Sequence, residues 1–239
     1  MRCRGFREPG GWRLGVLLNA RRAAWEAASV KLRAALQRLL ATVSLAAGRD
    51  RAALDHWQRA AALQPQDDRA AAAIGHLLCA TDRSAEALGW LGMARRLAPG
   101  SAHHAFNHGF ALQACALDAD AIEAFDAAIC CDPRFDRAYY GRALSQIRLG
   151  YEDAAIESLQ TNTELQPMSP FGWYQLAHVQ HRRGQIGNAR ATLARLAAFE
   201  PGVARQCARE IGLELSTLAG SSYPLAGSRQ AGSHAARIL

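Results

Sequence analysis

Five prolines recur along this chain of 239 residues at a constant interval of 34 residues. They are Pro65, Pro99, Pro133, Pro167 and Pro201. A constant period of this length is typical of supersecondary units that stack in a row and bury their apolar faces against their neighbours. The spacing therefore predicts a repeat protein, in which an extended surface is a better candidate for function than an enclosed pocket.

The residues between the prolines repeat with the same period. When each proline is numbered as position 32, the five units begin at Ala34, Asp68, Ala102, Asp136 and Pro170. Position 8 is then Gly or Ala, position 20 is always Ala, and position 24 is always Trp, Leu or Phe. Small residues at 8 and 20 would let two helices of a unit approach closely, and the bulky residue at 24 would fill the space between units.

Position 15 predicts the turn inside each unit. Its residues are Gly48, Asp82, Ala116, Gly150 and Gly184. Three of the five are glycines, which adopt the left-handed backbone that ends many helices at no steric cost. The first helix of each unit is therefore expected to end here. The proline at position 32 is expected just after the second helix, because it has no N–H to continue one.

These columns resemble the pattern of the tetratricopeptide repeat (TPR) family. Tyr139 and Trp173 match its aromatic at position 4; Leu40, Ile74 and Leu176 match its Leu-like position 7; and Ala60, Ala94 and Ala128 match its Ala at position 27. The departures are His108 and Arg142 at position 7 and Asn162 and Leu196 at position 27, and they are expected to weaken single units, the fourth most. The resemblance covers 34–201. It implies an all-α fold, a right-handed α-solenoid (superhelix) of helix-turn-helix hairpins whose concave face binds peptides or proteins.

The repeat divides the chain into five consecutive parts. We expect a disordered basic N-terminus at 1–13, a helix at 14–33 that covers the end of the stack, five TPR units, a capping helix at 202–215 and a disordered tail at 216–239. The units are 34–67, 68–101, 102–135, 136–169 and 170–201.

The net charge of +7 is concentrated at the N-terminus. Residues 1–33 contain eight Lys and Arg against two acidic residues, whereas 34–215 contain 18 Arg against 19 acidic residues. A basic arm attracts nucleic acid or anionic lipid. The arm carries no recognisable nucleic-acid-binding motif, so a solvated tail is the preferred interpretation and nucleic acid the less favoured one.

Compartment is predicted from three absences in the sequence. No apolar run approaches the ~20 residues that a membrane-spanning helix needs, and the short apolar stretch near residue 16 is a poor secretion signal. The six cysteines form no CxxC pair. We therefore expect a cytoplasmic protein with no membrane insertion and with reduced thiols.

The candidate binding residues follow from the resemblance, which implies that positions 2, 5, 6, 9, 12 and 13 face the concave groove. None of the 30 residues at these positions is Asp or Glu. A surface with donors and aromatics but no carboxylates suits a peptide backbone, an acidic segment or a free C-terminal carboxylate. The predicted groove residues are Arg38, Arg69, His76, His103, Asn107, Arg137, Tyr140, Arg148, Tyr174, Gln175, His178 and Arg182.

The sequence gives little support for a metal site or a catalytic site. His104 and His108, and likewise His178 and His181, are spaced to share a helix face, but no third ligand stands nearby. Phosphate-binding and hydrolase motifs are missing, so neither a cofactor nor catalysis is expected.

The sequence therefore predicts a non-catalytic adaptor or scaffold that binds a partner protein or peptide in the groove. A self-assembling homo-oligomer and an accessory subunit of an enzyme complex remain alternatives. Binding of nucleic acid or a membrane surface through the N-terminal arm is a less favoured third.

Overall fold

The computed structural model describes residues 10–213 and gives side chains from residue 19 onward. The described residues form eleven α-helices and no strand. The helices are α1 Gly10–Ala46, α2 Asp50–Leu63, α3 Asp68–Ala80, α4 Ser84–Leu97, α5 Ala102–Ala114, α6 Asp118–Cys131, α7 Asp136–Arg148, α8 Glu152–Leu165, α9 Pro170–Arg182, α10 Ile186–Phe199 and α11 Pro201–Glu210.

Helices that follow one another in the chain pack together as hairpins. The chain divides into two compact units, Met1–Gln166 and Pro167–Leu239. The first contains the hairpins α1–α2, α3–α4, α5–α6 and α7–α8, and the second contains the hairpin α9–α10 followed by α11. This order confirms the predicted all-α architecture of TPR hairpins.

The turn inside every hairpin has the backbone that position 15 predicts. The φ angles are 68° at Gly48, 59° at Asp82, 58° at Ala116, 78° at Gly150 and 73° at Gly184. All five residues are therefore left-handed, including the two that carry a side chain. The hairpins tolerate the strain of Asp82 and Ala116 because the turn is fixed by the helices on either side.

The bulky residue at position 24 packs between neighbouring hairpins, as predicted. Phe125 on α6 is fully buried. A Cβ added at Gly109 on α5 would lie 2.9 Å from its ring, and one added at Gly141 on α7 would lie 2.6 Å from it. Both distances are too short for a real contact, so the glycines are what allows one phenyl ring to touch both helices.

The N-terminal prediction is wrong for the described part of the arm. Residues 10–13, expected to be disordered, are helical, and the expected helix at 14–33 is continuous with the first helix of the first repeat. The reason is local: no Gly or Pro stands between Gly15 and Gly48, and the segment is rich in Ala, Leu and Arg, which favour helix. Residues 1–9 and the tail predicted at 216–239 lie outside the described residues.

The capping helix also differs from its predicted bounds. It was expected at 202–215 and is observed as α11 at Pro201–Glu210. Pro201 does not lie in a loop like the earlier prolines of the series but occupies the first turn of the helix, where its missing N–H removes no hydrogen bond.

The polar departures in the fourth unit are paired in the structure. Arg142 Nη1 donates to Asp126 Oδ1 at 2.7 Å, and Arg142 Nε donates to Ser158 Oγ at 3.1 Å. Asn162 Nδ2 donates to the backbone carbonyl of Asp136 at 2.9 Å. Hydrogen bonds therefore replace apolar contacts in the fourth unit, and the donors Arg142 Nη1, Arg142 Nε and Asn162 Nδ2 all have acceptors. This limits the loss of stability that the sequence predicts for this unit.

The two left-handed turns at 116 and 150 make a matched test of this backbone strain. We expect Ala116→Gly to raise the free energy of unfolding by about 1 kcal/mol, because a left-handed backbone costs an alanine more than it costs glycine. Gly150→Ala, where a Cβ would meet nothing within 4 Å, should lower it by a similar amount. Urea unfolding followed by circular dichroism measures both, and shifts of the same sign would contradict the explanation.

Candidate ligand groove

Three predicted groove residues stand at the same position of three successive hairpins. Arg69, His103 and Arg137 each occupy the second residue of α3, α5 and α7, respectively, and all three are exposed. The repeat packing places them in register along one face of the first unit. We call them the basic row. Each lies in the first turn of a helix, whose dipole favours negative charge nearby.

Both arginines of the basic row lack a carboxylate partner among the described residues. Salt bridges are present at Arg22, Arg38, Arg83, Arg142 and Arg148, but none involves Arg69 or Arg137. The acid that precedes Arg69 in the sequence, Asp68, is engaged by His104 Nε2 at 2.8 Å. That hydrogen bond lowers the pKa of Asp68, so the carboxylate stays committed to His104.

Aromatic rings support Arg137. Its guanidinium carbon lies 5.0 Å from the centre of the Phe106 ring and 5.3 Å from that of Phe135. The His103 ring centre is 5.0 Å from that of Phe135 on the same side of the unit. A guanidinium held over ring faces keeps its in-plane N–H donors for other acceptors. The arrangement therefore restricts the arginine side chain and leaves its hydrogen-bonding capacity unused.

The same rings connect the basic row to the core. Phe106 packs edge-on against Phe135 at 5.2 Å and lies 5.7 Å from Phe125, the buried ring between α5 and α7. Phe135 is itself buried. The cation is consequently supported by side chains that cannot move without disturbing the packing of two hairpins.

The other groove candidates of the first unit surround this row. His76 is exposed, and Asn107 and Tyr140 are half-buried. Phe110 on α5 leaves 50% of its surface in solvent, which makes it the large exposed aromatic of this face. The helices thus bring together a cation, amide donors and an apolar ring, the groups that hold an extended peptide.

Two predicted groove arginines are already paired. Arg38 donates to Asp67, which also caps α3 by accepting from the backbone N–H groups of Arg69 and Ala70. Arg148 Nη1 donates to Asp118 Oδ1 at 2.9 Å and to the carbonyl of Gln113 at 3.1 Å. The search for acidic residues in the groove covered first-helix positions only. It missed these two because Asp67 comes from a loop and Asp118 from a second helix.

Asp118 belongs to a buried polar network that the sequence did not reveal. Its Oδ1 accepts a hydrogen bond from Ser145 Oγ at 2.7 Å. Gln113 Nε2 donates to Ser145 Oγ and to the carbonyl of Gly141, both at 2.9 Å. The network joins α6 to the C-terminal parts of α5 and α7, away from the first turns that carry the basic row, and fixes the register of the two hairpins.

In the second unit, the capping helix α11 contacts two of the predicted groove residues. Tyr174 donates its hydroxyl to Glu210 Oε2, and His178 Nε2 lies 3.2 Å from the same oxygen. Gln206 Nε2 holds the other carboxylate oxygen at 2.9 Å. Gln175 is half-buried and Arg182 exposed on the same helix α9. A carboxylate of the chain itself therefore sits where the sequence predicted that a partner would bind.

The pKa shifts around Glu210 agree with this contact. The hydrogen bond to Glu210, followed by burial, raises the pKa of Tyr174 to about 12. The same hydrogen bond lowers the pKa of Glu210 below its ordinary value. Burial lowers the pKa of His178, so its imidazole is neutral at pH 7 and the pairing with Glu210 is not an ion pair there.

No group of three or more His, Cys, Asp or Glu residues within residues 10–213 has the geometry to hold a metal ion. Over the same residues, no helix is both long and apolar enough to cross a membrane.

Solved structures share this fold at low sequence identity. MamA from Desulfovibrio magneticus RS-1 is 20% identical with a TM-score of 0.67, over 71% of this chain and 96% of that one. YrrB, described as a TPR protein with an unusual peptide-binding site, is 16% identical with a TM-score of 0.63, over 71% and 88%. PilW, a type IV pilus biogenesis factor, is 18% identical with a TM-score of 0.63, over 78% and 89%. No protein-family model and no curated protein matches the sequence. These similarities establish the TPR fold.

The contact between α9 and α11 is testable by titration. In Glu210→Gln the pKa of Tyr174 should fall from about 12 toward the ordinary 10.0, because the acceptor loses its charge. The control Glu200→Gln, an exposed acid just before α11, should leave it unchanged. Carbon-13 NMR of the tyrosine rings from pH 8 to 13 measures this, and an identical titration in both variants would contradict the contact.

The same pair predicts a pH dependence of stability. Because the pKa of Glu210 is lowered in the folded chain, its stabilising effect is fully present above the ordinary value of 4.5 and is lost as pH falls through the lowered value. We expect the melting temperatures of the wild type and Glu210→Gln to differ at pH 7 and to converge below pH 4. A difference that persists at low pH would show that the charge of Glu210 is not responsible.

Proposed function

We propose that the first unit acts as a non-catalytic adaptor that binds an extended, acidic segment of a partner protein along α3, α5 and α7. The observation that carries this proposal is the basic row, in which Arg69 and Arg137 are exposed and unpaired among the described residues. TPR folds in general mediate protein–protein interactions. YrrB, a TPR protein with an unusual peptide-binding site, shows such a role for a similar fold.

Electrostatics favour an acidic ligand over a basic one. Hydrogen bonds between a guanidinium and a carboxylate are about twice as strong as neutral ones, and the unpaired arginines offer several donors each. Arg137 is held by two aromatic rings, so little side-chain entropy is lost when a carboxylate binds. A basic peptide would meet the positive charges of Arg69 and Arg137 at the basic row and would be repelled by them.

The neighbouring residues suit a peptide rather than a free ion. Asn107 carries an amide that can pair with a peptide backbone group, and Phe110 offers half of its ring as an apolar contact. Repeated donors at the same position of successive hairpins match the repeated spacing of an extended chain. These features favour an extended segment with at least two acidic residues and one apolar residue between or beside them.

Paired residues are left out of the proposed contact set. Arg38 and Arg148 are engaged by Asp67 and Asp118, and a ligand would have to displace those carboxylates to reach them. Tyr174 and His178 are engaged by Glu210 in the second unit. The proposal therefore rests on Arg69, His103, Asn107 and Arg137, with Tyr140 and Phe110 as neighbours.

The test compares two double charge reversals of equal size. Arg69→Glu with Arg137→Glu should weaken binding of a fluorescein-labelled dodecapeptide of alternating Glu, Ser and Leu by roughly 100-fold, because two charge-assisted contacts are lost. Arg51→Glu with Arg59→Glu changes the net charge equally on the exposed side of α2 and should leave binding within about twofold. Fluorescence anisotropy in 0.15 M salt measures both.

A second peptide, in which Lys replaces every Glu, tests the sign of the charge. It should bind at least tenfold more weakly than the acidic peptide. Equal binding of the two peptides, or equal loss in the two double variants, would show that the basic row does not recognise an acidic segment.

A further inference from the structure

Helix α1 carries an exposed apolar stripe that the groove does not use. The exposed fractions are 77% for Trp25, 72% for Leu32, 51% for Leu36, 59% for Leu39 and 58% for Val43. Large apolar side chains exposed singly are ordinary, but a continuous row of them marks an interaction surface. The stripe lies on one helix within the first unit.

The stripe has the spacing of a coiled-coil seam. Its residues follow one another at intervals of seven, four, three and four, and Ser29 fills the one intermediate position. In heptad notation Ser29, Leu36 and Val43 are a positions and Trp25, Leu32 and Leu39 are d positions. Apolar residues at successive a and d positions are the sequence signature of a helix that pairs with another helix.

The seam faces away from the hairpin to which α1 belongs. Ala34 and Ala41 are fully buried on the side of α1 that packs against α2. Both are f positions of the same heptad, diametrically opposite the a and d positions. The hairpin contact and the stripe are therefore separate faces, and neither competes with the other.

The next first helix shows what normally covers such a face. On α3 the residues that correspond to Leu36 and Val43 are Ala70 and Leu77, and they are 0% and 7% exposed because the preceding hairpin packs on them. No described residue covers the equivalent face of α1. Leu36 and Val43 of α1 thus occupy positions that are buried on α3, where a neighbouring hairpin is present.

We infer that a second copy of this chain covers the stripe, with α1 packed against α1 as a two-stranded coiled coil. The stripe runs about 27 Å from residue 25 to residue 43, whereas the 14-residue second helix of a hairpin is about 21 Å long. A further hairpin would therefore leave part of it exposed, whereas α1 of a second copy matches its full length. Such an interface is isologous, so one apolar stripe suffices for both chains.

This inference is independent of the proposed contact set, since it uses none of Arg69, His103, Asn107 and Arg137. A dimer would nevertheless present two basic rows to a partner. Two linked binding sites increase the apparent affinity for a ligand with repeated acidic segments without any new contact.

Sedimentation equilibrium of the full chain from about 1 to 300 µM tests the dimer, since this range covers weak and moderate coiled-coil affinities. The wild type should fit a monomer–dimer equilibrium. Leu32→Gln with Leu39→Gln should raise the dissociation constant at least about tenfold, because two apolar d-layer residues become polar. The control Leu45→Gln with Leu149→Gln makes the same change at exposed leucines off the seam and should leave the constant unaltered.

Ser29→Leu guards against loss of dimer through misfolding, because it should strengthen association. It completes the a layer of the seam and is expected to lower the dissociation constant by about tenfold. A wild-type chain that stays monomeric up to 300 µM, or a constant that does not respond to Ser29→Leu and Leu32→Gln with Leu39→Gln, would overturn the inference.

Discussion

The packing of one bulky side chain against small residues of two helices determines the rest of this structure. Phe125 can touch both α5 and α7 only because Gly109 and Gly141 have no Cβ, and Leu91 meets Gly75 in the same manner, with an added Cβ 2.4 Å from its Cγ. Gly75 and Gly109 lie in the same hairpin as the side chain that they meet, whereas Gly141 lies in the next hairpin, so its contact with Phe125 sets the distance between two adjacent hairpins. Because the contact recurs, residues at equal positions of successive hairpins fall in a row, and Arg69, His103 and Arg137 line up without any contact among themselves.

Apolar packing alone leaves the register between adjacent hairpins loosely specified. Polar contacts fix it. Asp118, Ser145 and Gln113 form a chain of buried hydrogen bonds between α5, α6 and α7, with Arg148 closing it at the surface. Each member leaves another unsatisfied if it is removed, so such a network is conformationally demanding. It lies in the C-terminal parts of α5 and α7, whereas Arg137 lies in the first turn of α7 and is held there by Phe106 and Phe135.

The repeat could be predicted from the sequence because its signals are local and recur. Five prolines and five turn residues in phase determined the hairpins, and even Ala116 adopts the left-handed backbone that glycine prefers. The groove could be predicted only in part. Arg38, Arg148 and Tyr174 were correctly assigned to first helices, but their carboxylate partners are 29, 30 and 36 residues away in the sequence. A periodic count over one helix type cannot include acids that loops, second helices and a capping helix supply.

The first and last described helices, α1 and α11, differ in the composition of the face that no further hairpin covers. Helix α11 is short and places Cys207 and Ala208 in the core, while Gln206 and Glu210 remain on its polar side, so its own composition separates apolar from solvated surface. Helix α1 is nearly four times as long and keeps leucines on the face that has no neighbour. The composition of α11 is that of a terminal cap, which a repeat array needs for solubility. The composition of α1 is instead that of an interior face, and its length and seven-residue spacing indicate that a second helix of similar length completes it.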